Sequence, residues 1–148
     1  MAIEKISGDE LKLMNQICFP IYKFSKEITN QYRPLLETLD LTYPQYLVMM
    51  VLWEEAVQTV SQLGEKLALD SGTLTPLLKR MEQKDYVKRT RSAADERVVV
   101  ISLTEGGQKL KEKALGLREK LIDNLHVNVE ELMELKTLID KILNKNKI

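Results

Sequence analysis

The chain has 148 residues, of which 44% are hydrophobic and 30% are charged, and its formal net charge is zero. This is the length of about one domain, with enough apolar residues to form a core. No run of about 18 apolar residues occurs and the first residues are polar, so we expect neither a membrane span nor a secretory signal. A single Cys and a single His exclude an internal disulfide and the usual four-ligand zinc site. We therefore expect a cytoplasmic protein without metal or cofactor.

The first predicted element is a helix that begins near Asp9. Its apolar residues recur every three or four positions, at Leu11, Met14, Ile17, Ile21, Phe24 and Ile28. Pro20 falls within this stripe and removes one backbone hydrogen bond, which should kink the helix or delay its regular start. Because the apolar periodicity continues through Pro20, we predict a kink. Pro34 predicts that the helix ends near Tyr32, since the residue before a proline disfavours helical backbone angles.

The middle of the chain predicts short helices followed by a hairpin. Thr42 and Pro44 begin a helix that is apolar on nearly every side and should therefore be buried. After this helix the spacing of the apolar residues alternates between strand-like and helix-like. It predicts extended segments at 57–60, 86–91 and 97–103 and helices at 61–67 and 73–84. The two last segments are joined by a polar turn, which predicts a β-hairpin.

The end of the chain predicts two more helices. Thr104 caps a long one, whose apolar stripe is Leu110, Ala114, Leu117, Leu121 and Leu125. Residues 127–129 interrupt the pattern, and a last helix follows from Glu130.

Together these elements predict a mostly α fold with a small β-hairpin wing. Residues 42–105 form a winged helix-turn-helix region, which in DNA-binding proteins places its second helix in the major groove. Residues 1–41 form an N-terminal dimerisation helix and residues 106–148 form C-terminal dimerisation helices, because their apolar stripes are too long for the middle region to cover. A twofold dimer would match a palindromic operator.

The charge is unevenly distributed despite the zero total. Residues 71–92 carry a net charge of +4. A local basic cluster is a candidate phosphate-binding surface, although most charge clusters are only solvated faces. Here the cluster coincides with the second helix of the helix-turn-helix and with the wing, which favours double-stranded DNA as the partner.

Three separated motifs resemble a known family. LTYPQYLVMMVLWE, LDSGTLTPLLKRMEQKDYVKR and DERVVVISLTEGG are similar to segments of the multiple-antibiotic-resistance regulator (MarR) family of winged-helix repressors. ICFPIY, LTYPQY and LDSGTLTPLLKRME further resemble the organic hydroperoxide-sensing regulators (OhrR) and their staphylococcal relatives. The resemblance spans roughly residues 11–110. It implies a homodimeric transcription factor, with the helix at 71–84 in the major groove and the wing at 89–97 in the minor groove.

The resemblance also implies which residues contact DNA. Arg97 would enter the narrow, electronegative minor groove, with Asp95 orienting it. Hydroxyl and cationic side chains would contact base edges and phosphates, at Ser71, Thr73, Thr75, Lys79, Arg80, Arg89 and Arg91.

Cys18 would be the peroxide-reactive thiol of such a protein, whereas a lone Cys on an apolar stripe is more often an inert core residue. Tyr22 lies one turn after Cys18, but Tyr32 lies about 21 Å further along the helix. Tyr32 can therefore meet only the thiol of an antiparallel partner helix, and the family pattern places Tyr32 and Tyr43 beside the other subunit's cysteine. Without a second cysteine in the chain, reversible derepression would need either a small thiol that forms a mixed disulfide with Cys18 or the sulfenic acid alone.

Several functions remain open at this point. The first is a redox-sensing regulator, acting as a repressor, that loses operator affinity when an organic hydroperoxide or related oxidant oxidises Cys18. The second is a repressor of the same family that is gated by a small aromatic ligand, with Cys18 structural. A third function, an enzyme of the thiol-peroxidase type, is disfavoured because the sequence has no resolving cysteine and no catalytic motif. A pure dimerisation module leaves the basic helix and wing unexplained.

Overall fold

The computed structural model describes residues 8–146, which form seven α-helices and one three-stranded antiparallel sheet. The helices are α1 (Cys18–Glu37), α2 (Tyr43–Glu54), α3 (Val60–Leu67), α4 (Ser71–Gln83), α5 (Glu105–Ala114), α6 (Leu117–Leu125) and α7 (Val129–Asn146). The strands are β1 (Val57–Thr59), β2 (Val87–Arg91) and β3 (Val99–Leu103). The mostly α prediction is confirmed. No helix within residues 8–146 is long and apolar enough to cross a membrane.

The chain divides into two compact units. One unit is Arg33–Glu119, and the other combines Met1–Tyr32 with Lys120–Ile148. The predicted division into 1–41, 42–105 and 106–148 is a functional one, and it stays a prediction. Residues 1–7 and 147–148 of the predicted end regions lie outside the described residues.

Helix α2 lies in the core of the unit Arg33–Glu119. Thr42 caps it as predicted, because the Thr42 Oγ1 accepts the Gln45 N–H and the Gln45 side chain accepts the Thr42 N–H in return. Val48, Met49 and Leu52 are fully buried, which confirms the prediction of a buried helix. α2 is therefore the central helix of this unit's core.

The sheet has the strand order β1-β3-β2. The predicted hairpin is confirmed, with Val87 opposite Leu103 and Arg91 opposite Val99. The extended piece near residue 57 becomes the third strand, since Val57 pairs with Ser102. β2 is therefore an edge strand, and its outer side faces away from β3.

The N-terminal helix differs from the prediction. α1 begins at Cys18 rather than near Asp9, after two short 3-10 turns at Gly8–Leu11 and Leu13–Asn15. Pro20 is the third residue of α1, where a backbone N–H has no partner within the helix, so the predicted kink is wrong.

The predicted end of α1 near Tyr32 is also wrong. The helix continues through Pro34 to Glu37. Leu36, two residues after the proline, is only 1% exposed. Its burial favours continuation of the helix despite the hydrogen bond that Pro34 removes.

The predicted long helix after Thr104 is two helices. Thr104 caps α5 as predicted, because its Oγ1 accepts the Gly107 N–H at 3.0 Å. The chain then breaks at Gly116, which has φ of 83°, before α6 begins. The predicted interruption near residue 127 is confirmed: His126 has a positive φ, and the Asn128 side chain accepts the Glu131 N–H in front of the last helix.

The unit formed by the two chain ends exposes many large apolar side chains. Leu11 is 86% exposed, Met14 84% and Ile17 81%. Along α7 the exposed apolar residues are Val129, Met133, Leu135, Leu138, Ile139, Ile142 and Leu143. Such a concentration is typical of a surface that another chain covers.

Candidate DNA-binding surface and sensor cysteine

Helix α4 begins at a well-formed cap. The Asp70 Oδ1 accepts the Thr73 backbone N–H at 2.7 Å. Hydrogen bonds from Thr73 hold the pKa of the Asp70 carboxyl below its ordinary value, so the cap is ionised at neutral pH. Leu74 and Leu78 are fully buried and fix the rotation of α4 in its unit.

This rotation divides the predicted contact residues of α4 between two flanks. Ser71, Thr75 and Lys79 are spaced by four, so they lie on one flank, and all are exposed. Thr73 and Arg80 lie about 180–200° further round the helix and are also exposed.

The wing contains a close pairing at its tip. The Arg97 Nε donates to Asp95 Oδ1 at 3.1 Å, its Nη2 donates to Oδ2 at 3.2 Å, and its backbone N–H donates to Oδ1 at 3.0 Å. The Arg97 side chain is nevertheless 91% exposed. The Arg97 hydrogen bonds lower the pKa of Asp95, which keeps the pair charged at neutral pH.

The two predicted arginines of β2 are in different surroundings. Arg91 is exposed and donates to the Glu96 carbonyl oxygen at 2.7 Å. The Arg89 side chain is only 22% exposed, and its Nη1 lies 3.4 Å from Glu82 Oε2. Arg89 is therefore paired within the unit, while Arg91 keeps its charge at the surface.

A single groove between α3, α4 and the wing joins most of these residues. It has a volume of about 760 Å³. Six predicted DNA-binding residues line it: Ser71, Thr75, Lys79, Arg89, Arg91 and Arg97. Thr73 and Arg80 lie on the other flank of α4, and Asp95 reaches the groove only through Arg97. Three helix residues and three arginines thus form one continuous surface.

The fold removes part of the basic cluster from this surface. Lys84 donates to the Asp40 carbonyl oxygen at 2.7 Å and lies 3.1 Å from Asp40 Oδ1. Within residues 8–146, neither Lys79 nor Arg80 forms an ion pair, and both are exposed. The positive surface charge of this region is carried by these two cations and by Lys88, Arg91 and Arg97, which are also exposed.

Sequence reasoning missed residues on α3 and at the end of α4. Ser61 and Glu65 line the groove from α3, one turn apart. Glu82 contacts Arg89, seven positions away in the sequence. The spacing of Ser61 and Glu65 on an amphipathic helix was a usable signal, whereas the pairing of Glu82 depends on how the wing folds back.

Cys18 is exposed at the first residue of α1, which excludes a place in the core of its own chain. One turn later, the Tyr22 ring is 60% exposed and the Lys26 Nζ lies 5.3 Å from its centroid. Tyr32 is on the same helix, about 21 Å from Cys18 by the helical rise.

Tyr43 belongs to the other unit, as the first residue of α2, and is half-buried. Burial raises the pKa of the Tyr43 phenol. The phenol therefore stays protonated at neutral pH and can act as a hydrogen-bond donor. Within residues 8–146, no group of three or more acidic, His or Cys side chains is arranged to hold a metal ion.

Known proteins resemble this chain over nearly its whole length. The family model "Transcriptional regulator SarA/Rot" matches residues 30–114. An organic hydroperoxide resistance transcriptional regulator from Bacillus subtilis is 50% identical over 142 residues, which cover 93% of this chain and 97% of the relative.

Solved structures agree with this match. Reduced AbfR bound to DNA has a TM-score of 0.78 and 36% identity, covering 96% of this chain and 97% of that chain. Overoxidised AbfR bound to DNA has a TM-score of 0.71 and 38% identity, covering 91% and 97%. AbfR is a protein of Staphylococcus epidermidis. These matches confirm the predicted winged-helix fold and the resemblance to MarR-type and organic hydroperoxide regulators. The chain therefore belongs to the SarA/Rot family of transcriptional regulators.

Proposed function

We propose that this protein is a homodimeric regulator, acting as a repressor, that binds a palindromic DNA operator and releases it when Cys18 is oxidised. The observation that carries DNA binding is the groove, where hydroxyl and guanidinium groups from α4 and the wing converge. Reduced AbfR, which is 36% identical, is itself bound to DNA. As a DNA-bound regulator the protein would act in the cytoplasm, and it would not be an enzyme.

In this proposal α4 enters the major groove and the wing enters the adjacent minor groove. Ser71 and Thr75 suit hydrogen bonds to base edges and backbone, and Lys79 suits a phosphate. Thr73 and Arg80, on the other flank of α4, would contact the opposite wall of the major groove. Arg97 would enter the minor groove, where the negative potential favours a guanidinium.

The proposed dimer explains the exposed apolar surface of the chain ends. Ile17 and Ile21 near one chain end, and Leu138 and Ile142 near the other, are each more than half exposed in the single chain. Covering such residues is favourable by about 25 cal/mol for each Å² of apolar surface. The resulting twofold axis would set the distance between the two α4 helices, and hence the spacing of the operator half-sites.

The proposed redox step uses the Cys18 thiolate as nucleophile. It attacks the O–O bond of an organic hydroperoxide, so that sulfur is oxidised to a sulfenic acid and an alkoxide leaves and takes up a proton. A small thiol then condenses with the sulfenic acid, releasing water and forming a mixed disulfide. The partner subunit's Tyr32 and Tyr43, and Tyr22 of the same helix, would donate hydrogen bonds to the thiolate.

The mixed disulfide is the form proposed to release DNA. It adds a bulky group where α1 would meet the other subunit. This group would displace α1 and change the distance between the two α4 helices of the dimer. Overoxidised AbfR is bound to DNA. By analogy, a Cys18 overoxidised beyond the sulfenic acid would leave this protein competent to bind DNA.

The test measures mass and DNA binding on the same samples. A duplex is first selected by the reduced dimer from a random-sequence library. The protein then receives one equivalent of cumene hydroperoxide, with or without cysteine as the small thiol. We expect a cysteine adduct and a loss of operator affinity only when both are present, because only then can the disulfide form.

Cys18→Ser is the matched control, and it should bind the same duplex before and after treatment. An unmodified Cys18 in the wild-type protein would contradict the redox proposal. An adduct without loss of affinity would contradict the coupling of Cys18 to DNA. Selection of no duplex at all would contradict DNA binding itself.

A further inference from the structure

The Glu82 carboxylate of α4 contacts strand β2 at two points. Its Oε1 accepts the backbone N–H of Arg89 at 3.0 Å. Its Oε2 lies 3.4 Å from the Arg89 Nη1. One side chain therefore binds both the main chain and the side chain of the same wing residue.

The backbone contact is the more informative of the two. β2 is the edge strand of the sheet, and Arg89 lies opposite the buried Ile101 of β3. The N–H of Arg89 points to the outer side of β2, where the sheet supplies no acceptor, and Glu82 supplies one. Glu82 thus replaces a missing neighbouring strand at the base of the wing.

Glu82 lies on the flank of α4 that also carries the predicted DNA contacts. Glu82 lies about 20° round the helix from Ser71, so it continues the flank formed by Ser71, Thr75 and Lys79. The flank that lines the groove therefore ends in the side chain that holds the wing. Loss of this contact would therefore free the wing arginines to change their angle to α4.

We infer that Glu82 is a positioning residue that locks the wing to α4, and that Arg89 acts as its partner in this lock rather than as a DNA phosphate contact. This inference rests on the proposed DNA binding. It reassigns Arg89, whose side chain is 22% exposed, and leaves Arg91 and Arg97 as the wing residues that reach DNA. An operator read by both α4 and the wing requires a fixed angle between them, so the lock should act on specificity.

The first experiment compares Glu82→Gln with Glu82→Ala. Binding is measured to the duplex selected by the wild-type protein and to a scrambled duplex of equal length. Gln keeps an oxygen acceptor for the Arg89 N–H but loses the charge, whereas Ala loses both. We expect Ala to lower the ratio of specific to scrambled affinity about tenfold and Gln to keep it within about threefold.

Glu65→Ala is the matched control, because Glu65 is a groove carboxylate that forms no ion pair within residues 8–146. Removing it should tighten binding to both duplexes through charge alone. If both Glu82 variants behave as Glu65→Ala does, or if both bind as the wild type does, the inference is overturned.

The second experiment tests Arg89 and does not depend on the stability of the Glu82 variants. Operator affinity is measured as a function of salt concentration for Arg89→Gln and Arg91→Gln. Loss of one phosphate contact reduces the slope of log affinity against log salt by about 0.9. We expect this reduction for Arg91→Gln, while Arg89→Gln lowers affinity and keeps the wild-type slope. An equal loss of slope in both variants would assign Arg89 to a phosphate and overturn the inference.

The outcomes separate this inference from the function on which it rests. If the wild-type protein selects no duplex, DNA binding fails and the lock has no role in it. If the wild type selects a duplex but the variants give the contradicting results above, only the role of Glu82 and Arg89 fails.

Discussion

The Tyr86 hydroxyl donates a hydrogen bond to the Leu39 carbonyl oxygen at 3.1 Å. Two residues earlier, Lys84 donates to the Asp40 carbonyl oxygen at 2.7 Å. The segment after α4 is thereby bound to the turn that follows α1. Burial, with a smaller contribution from the Asp40 charge, raises the pKa of Tyr86, so its hydroxyl keeps the proton that it donates.

Tyr86→Phe should destabilise the fold. The variant removes the donor and leaves the Leu39 carbonyl oxygen without that partner, which costs about 1 kcal/mol. The free energy of unfolding from urea titration is the measurement. Thr90→Val, on an exposed position of β2, is the control and should change the stability little. Equal stability of Tyr86→Phe and the wild type would show that this hydrogen bond contributes nothing net.

Gly107→Ala should be more disruptive. An added Cβ would overlap the Tyr86 carbonyl oxygen and lie 2.8 Å from the Leu103 Cδ1. The Gly107 carbonyl oxygen also accepts the Trp53 indole N–H at 3.0 Å, so the backbone cannot move away freely. Overpacking of this kind costs about 1–3 kcal/mol. Thermal unfolding of the variant, read by circular dichroism, checks this cost.

Gly8→Ala provides the comparison for that experiment, since a Cβ at Gly8 meets open space. It should unfold at the wild-type temperature. A Gly107→Ala protein that does the same would mean that α5 can shift against Tyr86 without cost.

Arg97→Gln should weaken binding to the selected operator. A guanidinium inserted in a narrow minor groove contributes about 1–3 kcal/mol, so the affinity should fall by about 5- to 150-fold. Fluorescence anisotropy at fixed salt measures the change. Arg118→Gln removes an exposed arginine of α6 outside the groove and should bind as the wild type does. The same affinity for both variants would remove Arg97 from the DNA-binding surface.

Acid should weaken the cap of α4 and the pair at the wing tip. The pKa values of Asp70 and Asp95 are held below the ordinary 3.8 in the folded protein. Each ionised carboxylate therefore adds stability that is present above pH 3.8 and is lost as the pH falls through the lower, folded-state pKa. Neither residue should change stability between about pH 5 and 8.

The measurement is urea unfolding from about pH 7 down to about pH 2.5. Asp70→Asn with Asp95→Asn should flatten the acid side of the profile relative to the wild type, because Asn does not titrate. An unchanged acid slope would assign the acid sensitivity to other carboxylates.

Much of the fold could be predicted from local patterns. Two helix starts are set by capping hydrogen bonds to Thr42 and Thr104, which span only three residues. The strand near Val87 is indicated by side chains that alternate between its two faces. The predictions from Pro20 and Pro34 are wrong because the effect of a proline depends on its place in the helix and on the packing around it. Pro20 falls in a first turn, where its missing N–H is harmless, and Pro34 is tolerated because Leu36 beyond it is buried.

Periodicity and composition are enough to predict the helical class, the wing and the concentration of basic and hydroxyl residues in α4 and β2. Which of these residues share a surface depends on the packing of the folded chain. This packing buries Leu74 and Leu78, which turns Ser71, Thr75 and Lys79 toward the wing, and it pairs Arg89 with Glu82 and Lys84 with Asp40. A cationic side chain can bind a phosphate only if no carboxylate of the same fold already pairs with it, and spacing along the chain does not specify such pairs.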